Sequence, residues 1–433
     1  MSLRIDQVTV LDPAPQGPRI REDVSVVVDE GRVREIGQAR PEADRVIEGG
    51  GDLLVPGLVN AHGHAAMTVL RGYADDLPLQ PWLERAIWPV EAHLTGDHVH
   101  AGARLAAAEM IEAGITAFAD MYLFAEDVAR AAEEAGLACL AGASIVDQPT
   151  AEGRPEEVLA NTKTLLRERP PGEGRVRASL APHAVYSTSA ETLETVAELA
   201  DEHGASIQIH VAETMQEVYE AEAEHGLRPL AHLDEHGCLT ERSILAHCGW
   251  MTRAEAERVA DAGASVAHCP TANQKLATGG TTPVPELLAA GATVAVGTDG
   301  PASNNRIDVL QEAKRAALTH KHHRWDAEQL PAGQALAMAT RAGAHALGFT
   351  DAGRVQQGAW ADLALLDTDR PHLRPMHDPV SQAVYAARGG DVRTTIADGE
   401  VVYHEGEHER LDVGTVVADA EQAATDLVTE AEG

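Results

Sequence analysis

Between residues 53 and 300 the chain alternates eight times between a short apolar run and a stretch with helical periodicity, a rhythm that few folds accommodate. The runs are LLVPGLVNAH (53–62), ITAFADM (115–121), LACLAGASI (137–145), VRASLAPH (176–183), ASIQIHVAE (205–213), SILAHC (243–248), SVAHCP (265–270) and ATVAVGTDG (292–300). Intervening segments include HVHAGARLAAAEMIEAG (98–114), AETLETVAELADEHG (190–204) and TRAEAERVADAGA (252–264), most of them closing on a glycine that can take the left-handed turn of a helix end. Apolar strands spaced by helices predict an α/β protein built on a (β/α)8 TIM barrel, with its active site at the C-terminal strand ends. An open doubly wound sheet is the alternative, but no glycine-rich phosphate loop follows the first run.

The two ends of the chain read differently. RIDQVTVL, VSVVVDEGRVREIG and DRVIEGGGDLLV are short strand patterns, with a hairpin turn at Glu30 to Val33. Strand patterns return after Ala344, in ADLALLD (361–367) and VRTTIADGEVVYHEG (392–406), where Asp398-Gly399 is a second hairpin signal. Residues 1–55 and 345–416 are therefore expected to form one small β-sandwich domain around an inserted barrel, 56–344. Residues 417–433 are expected to be an amphipathic C-terminal helix or tail.

Composition narrows the function classes. A chain of 433 residues that is 44% hydrophobic can bury a large core. No run is long enough to span a bilayer, and Met1 to Ile20 lacks the basic and apolar regions of a leader, so the expected location is the cytoplasm. The formal charge of -34, with lysine only at 163, 275, 314 and 321, argues against nucleic acid or anionic lipid as a partner. So acidic and lysine-poor a surface suits a high-salt cytoplasm, a halophilic setting, because its carboxylates repel one another until molar salt shortens the Debye length to about 3 Å. Cys139, Cys238, Cys248 and Cys269 form no CxxC pair and are expected to be buried thiols.

His62-Gly63-His64 closes the first run, and side chains two apart on a strand share a face. The pair alone is a weak signal, since His98 and His100 repeat the interval in a helical stretch. It gains weight because His210 falls in the fifth run, His247 closes the sixth, and Asp299 lies in the eighth. Neutral imidazoles and a carboxylate at the barrel mouth suit zinc and similar divalent ions. HKHH at 320–323 reads instead as a solvated surface.

The stretches PGLVNAHGHAAMTVLRGYADDLPLQPWL, IWPVEAHLT, APHAVYSTS, IHVAET, LAHC, VAHCPTANQKLATGG and VAVGTDGPASNN occur in this order along the chain. Together they resemble the amidohydrolase superfamily, in particular its deaminases for 5'-methylthioadenosine, S-adenosylhomocysteine and related adenosines. The resemblance implies metal-dependent hydrolytic deamination of a small nucleoside to the inosine-type product and ammonia. It implies that His62, His64, His210 and Asp299 hold one divalent ion, expected to be zinc. Glu213 matches the proton shuttle, and His247 matches a residue that steadies the reacting centre. Asp299 also accepts the proton of the attacking water. For the substrate, Glu91 matches the residue that grips the ribose hydroxyls and His183 one near the 5' side. Trp82 and Trp88 could wall the purine, and Arg154 aligns with an arginine that holds the S-adenosylhomocysteine carboxylate. Two-metal relatives carry a lysine at the end of the fourth strand, where this chain has none.

One departure bears on the substrate. Where close relatives place a second arginine at the end of the third strand, this chain reads AGASIVD, with Ala143 or a neighbour at the position. Losing one of two charge-assisted contacts weakens a carboxylate-bearing substrate by about 1.5–3 kcal/mol, favouring methylthioadenosine, 5'-deoxyadenosine or adenosine. Family relatives form homo-oligomers, and the same is expected here. The competing readings are a guanine-type deaminase or triazine chlorohydrolase on the same metal frame, and a non-catalytic barrel scaffold.

Overall fold

Eight parallel strands pair in chain order: Leu58–Asn60, Ile115–Tyr122, Ala138–Ile145, Val176–Pro182, Ile207–Val211, Ser243–His247, Ser265–His268 and Thr293–Val296. The computed structural model describes residues 2–14 and 17–432. The Ala61 N–H donates to the Val296 carbonyl at 3.0 Å, linking the last strand back to the first. With only 3% aromatic residues, the chain fills the barrel largely with small side chains such as Ala117, Ala119, Ala138, Ala267 and Ala295. Leu347 and Phe349 belong to the same buried cluster. Gln208 is buried among the strands, where its amide nitrogen faces Asp120 O, Leu140 O and Ser179 Oγ while its Oε1 has no partner among the described residues.

The first apolar run, expected as one strand over 53–62, is two. Leu53–Pro56 joins a second sheet, and Leu58–Asn60 starts the barrel. The break falls at Gly57, where a Cβ would collide with the Thr116 side chain and where the N–H donates to Asp362 O at 2.7 Å. A glycine is required for that close approach. The strand then ends at Asn60, so His62 and His64 lie in the turn beyond it rather than on the strand itself.

The second sheet has nine strands and mixes both chain ends. Leu3–Asp12, Arg19–Asp29, Arg32–Gly37, Arg45–Glu48 and Leu53–Pro56 come from one side of the barrel sequence, and Leu363–Leu366, Val392–Ala397, Glu400–His404 and Glu407–His408 from the other. The two ends meet where Leu53–Pro56 pairs antiparallel with Leu363–Leu366. Both hairpin signals are used: Glu30 and Gly31, and Asp398 and Gly399, have positive φ. Buried Asp362 ties this sheet to the barrel through Arg175, at 2.9 Å, just ahead of the fourth barrel strand.

The last helix runs Val413–Glu432, beginning before the expected boundary at 417. Val416, Ala420, Ala423 and Leu427 form its buried stripe, and it packs on the helix Gly96–Glu112. No helix among the described residues is long and apolar enough to cross a membrane. All four cysteines are buried free thiols. The HKHH segment departs from expectation, because it lies at the end of the helix Val309–Arg324 and His320 is fully buried. His320 falls on the same face as Ala313, Ala316 and Ala317, which also carry no exposure.

Candidate active site

The barrel's C-terminal mouth opens into a cavity of about 510 Å³. His62 and His64 enter from the turn after the first strand, His210 from within the fifth strand, and Asp299 from the segment after the eighth. One potential ligand atom from each lies within 4.8 Å of all the others. Asp299 Oδ1 stands 3.3 Å from His62 Nε2 and 3.1 Å from His64 Nε2. His64 Nδ1 donates to Met121 O at 2.6 Å and His210 Nδ1 to His183 O at 2.9 Å. Those bonds leave each Nε2 as the nitrogen with a free lone pair, the arrangement that orients imidazoles for a metal.

The buried Nε2 of His62 has no hydrogen-bond partner among the described residues. An orphaned nitrogen facing a carboxylate and two other imidazoles fits a divalent cation. Burial pushes the His62 imidazole down to about 4 and lowers His210 well below the usual value, so both are neutral, as ligation requires. Burial also lowers His64, but the contact with Asp299, the charge of Asp120 and the bond to Met121 O together outweigh it and the ring ends at about 9. A dication held by the same atoms would displace that proton. Burial works against ionisation of Asp299, and the imidazoles of His62 and His64 beside it overcome that, holding the carboxyl well below its ordinary value.

Around this cluster the cavity brings together Glu91, His183, Glu213 and His247. Glu213 follows the fifth strand, is 6% exposed, and has an Oε1 with no partner among the described residues. Burial raises its carboxyl, favouring the protonated form. His247 Nε2 is 3.8 Å from Glu213 Oε2. His183 donates from Nδ1 to, or accepts from, Ser187 Oγ at 3.0 Å, and burial pushes it down to about 4. Trp82 and Trp88 both line the cavity, with Leu79, Leu83, Val146 and Leu276 adding apolar wall.

Arg154 is not brought in. It caps the helix Pro155–Glu168 with its side chain 70% exposed and paired to Glu157 at 3.1 Å, outside the cavity lining. At the end of the third strand the lining residues are Ser144 and Val146, and among the described residues no lysine or arginine lines the cavity.

Three residues at the site were given no role by the sequence, although Asn273 and Ser303 fall within the quoted stretches. Tyr122 donates its hydroxyl to Glu91 Oε1 at 2.5 Å. Ser303 donates to Asp299 Oδ2 at 2.5 Å, one helical turn after the carboxylate it holds. Asn273, from the helix Pro270–Lys275, meets His247 Nδ1 with Oδ1 at 2.8 Å.

A parallel barrel whose strand ends gather three imidazoles and a carboxylate beside an unpaired buried acid is the framework of a metal-dependent hydrolase. Comparison with known proteins places it more closely: the chain belongs to the amidohydrolase family, whose profile matches residues 53–402. The 5'-deoxyadenosine deaminase of Methanothermobacter thermautotrophicus is 44% identical over 405 residues, covering 93% of this chain and 94% of its own. The 5-methylthioadenosine/S-adenosylhomocysteine deaminase of Natronomonas pharaonis is 45% identical over 415 residues, covering 95% of each chain. Among solved structures, an adenosine deaminase from Xanthomonas campestris with bound zinc superposes with a TM-score of 0.95 at 36% identity, covering 99% of this chain and 98% of that one.

Proposed function

We propose that the protein is a hydrolase that deaminates adenosine-type nucleosides, releasing ammonia and the inosine-type product, with one zinc ion per chain held by His62, His64, His210 and Asp299. The observation that carries this reading is the single cavity shared by that ligand cluster, the buried acid Glu213 and the carboxylate Glu91. The named activities of the two deaminase relatives and the zinc bound by the Xanthomonas protein support the same assignment. A single ion is favoured because one ligand cluster occurs among the described residues and the fourth strand ends without lysine.

When bound, the ion supplies Lewis acidity that makes water available for attack near neutral pH. Asp299 accepts the proton of the attacking water and orients it towards the ring carbon bearing the amine, while Ser303 fixes its carboxylate through Oδ2. Glu213 donates a proton to the adjacent ring nitrogen, which removes aromatic stabilisation at the attacked carbon. His247 steadies the new oxygen substituent, its ring held by Asn273. Glu91 grips the ribose hydroxyls, because a carboxylate offers two acceptors to a vicinal diol. His183 lies towards the 5' side.

Among substrates of this class, the lining without lysine or arginine supports methylthioadenosine, 5'-deoxyadenosine or adenosine over S-adenosylhomocysteine. The test is ammonia release from these four compounds together with adenine, guanine and a chlorotriazine. Turnover of the nucleosides alone supports the proposal. Turnover confined to a free base or the triazine overturns the nucleoside assignment.

A further inference from the structure

Glu213 sits in a stretch of chain that does not hold its shape by secondary structure. The fifth barrel strand ends at Val211, the following helix starts at Met215, and Ala212 between them has φ +47°. A non-glycine residue rarely adopts that left-handed conformation unless its surroundings impose it. Here two sets of bonds do so. On one side the Ala212 carbonyl accepts from Trp250 N at 2.9 Å, and the Val211 carbonyl accepts from Cys248 N at 3.0 Å. On the other side a second buried acid, Glu217, reaches back from the first turn of the helix. Its Oε1 accepts the Ala212 N–H and its Oε2 the Glu213 N–H, both at 2.8 Å.

This grip differs from an ordinary helix cap. Thr214 already caps the helix, its hydroxyl accepting the Glu217 N–H at 3.1 Å. A capping-box glutamate would bond the backbone of Thr214 itself. Glu217 instead passes over the cap and takes the two N–H groups ahead of it, one of them belonging to Glu213. Its side chain is 3% exposed and lies outside the cavity lining, so it meets no substrate.

From this geometry we infer that Glu217 is a positioning residue for the reaction, a carboxylate clip that fixes the backbone at Glu213 so that its acid points at the substrate ring. The inference rests on the reading of Glu213 as proton donor. The clip uses both oxygens of one carboxylate, which makes the side chain hard to replace. Glutamine offers one acceptor and sets an NH2 donor against the other N–H, and aspartate is one methylene short of spanning both. Freeing the Ala212–Glu213 peptide shifts the acid relative to the ring nitrogen without changing the ribose contacts or the ion's ligands. Its signature is therefore a fall in kcat with KM and metal content kept.

The experiment compares Glu217→Gln, Glu217→Asp, Glu213→Gln and Thr214→Ala with the zinc-loaded full-length enzyme on 5'-deoxyadenosine. Rates are normalised to folded, metal-bearing sites, and melting temperature is read in parallel. Glu217→Gln should lower kcat by about 10- to 100-fold, the size expected when a reacting group is misplaced by an ångström. KM should stay within about twofold and zinc content unchanged. Glu217→Asp should fall between it and wild type, and carries the test alone should the glutamine variant not fold. Thr214→Ala loosens the same helix start without touching the carboxylate, and should lower the melting temperature while keeping kcat. Glu217 variants with wild-type kcat, or an equal kcat loss in Thr214→Ala, would overturn the inference. If Glu213→Gln is nearly as active as wild type, the proton-donor reading fails and the inference with it. If Glu213→Gln is inactive while the Glu217 variants are not, only the clip fails.

Discussion

His247 and Asn273 form a fixed pair, with Nδ1 of the ring 2.8 Å from Oδ1 of the amide. An amide oxygen only accepts, so Nδ1 carries the hydrogen and Nε2 is the nitrogen turned to Glu213 and the cavity. Removing the amide in Asn273→Ala frees the ring to turn and to change tautomer. The expected loss in kcat is about tenfold, the lower end for a residue that orients an active-site histidine. Steady-state kinetics on 5'-deoxyadenosine checks it, and a kcat within twofold of wild type would show that the ring is oriented by something else.

The raised carboxyl of Glu213 sets a pH dependence. Burial is the main cause of the rise, partly offset by His247, so the acid form persists above the ordinary carboxylate range. A donor must carry its proton, so activity declines as pH climbs through the raised pKa. The profile of kcat against pH should show this alkaline limb, and a rate that instead increases steadily with pH in the same range would contradict the role.

Glu91 should separate nucleosides from free bases. Tyr122 already donates to its Oε1, which orients the carboxylate and leaves Oε2 free for the substrate. Glu91→Gln loses a charged acceptor for a hydroxyl, worth about 1.5–3 kcal/mol, or at least tenfold in kcat/KM for adenosine substrates. The cost should appear mainly in KM. A silent Glu91→Gln would point to a substrate without the diol.

The absence of lysine and arginine from the cavity lining among the described residues predicts discrimination at the 5' position. S-adenosylhomocysteine should have a kcat/KM at least tenfold below that of methylthioadenosine, from the missing charge-assisted contact. Ser144→Arg, placed at the end of the third strand, should narrow that ratio. Equal turnover of both compounds by the wild-type protein would show that the amino-acid tail is bound without a cation.

Much of this architecture was legible in the sequence, and the exceptions have physical causes. All eight apolar runs contain barrel strands, and His62, His64, His210 and Asp299, at or near their C-terminal ends, converge at the barrel mouth. The split at Gly57 was hidden because both halves are equally apolar, and only the crowding by Thr116 distinguishes them. His320 was masked by its polar neighbours, although its spacing from Ala313, Ala316 and Ala317 marks the buried face. Tyr122, Asn273 and Ser303 act through contacts with residues on other segments or one turn away, which spacing along a strand does not encode. Arg154 stands outside the cavity lining, its exposed guanidinium 3.1 Å from Glu157.

The central claim is deamination of a 5'-substituted adenosine at the site built from His62, His64, His210 and Asp299. Its most direct test is ammonia release from 5'-deoxyadenosine before chelation, after dialysis against chelator, and after stepwise return of zinc, with bound metal measured in each sample. The account predicts that activity disappears with the metal and returns in proportion to zinc, reaching its full value at one ion per chain. Ammonia release that survives complete removal of metal, or none from any adenosine at one zinc per chain, would contradict it.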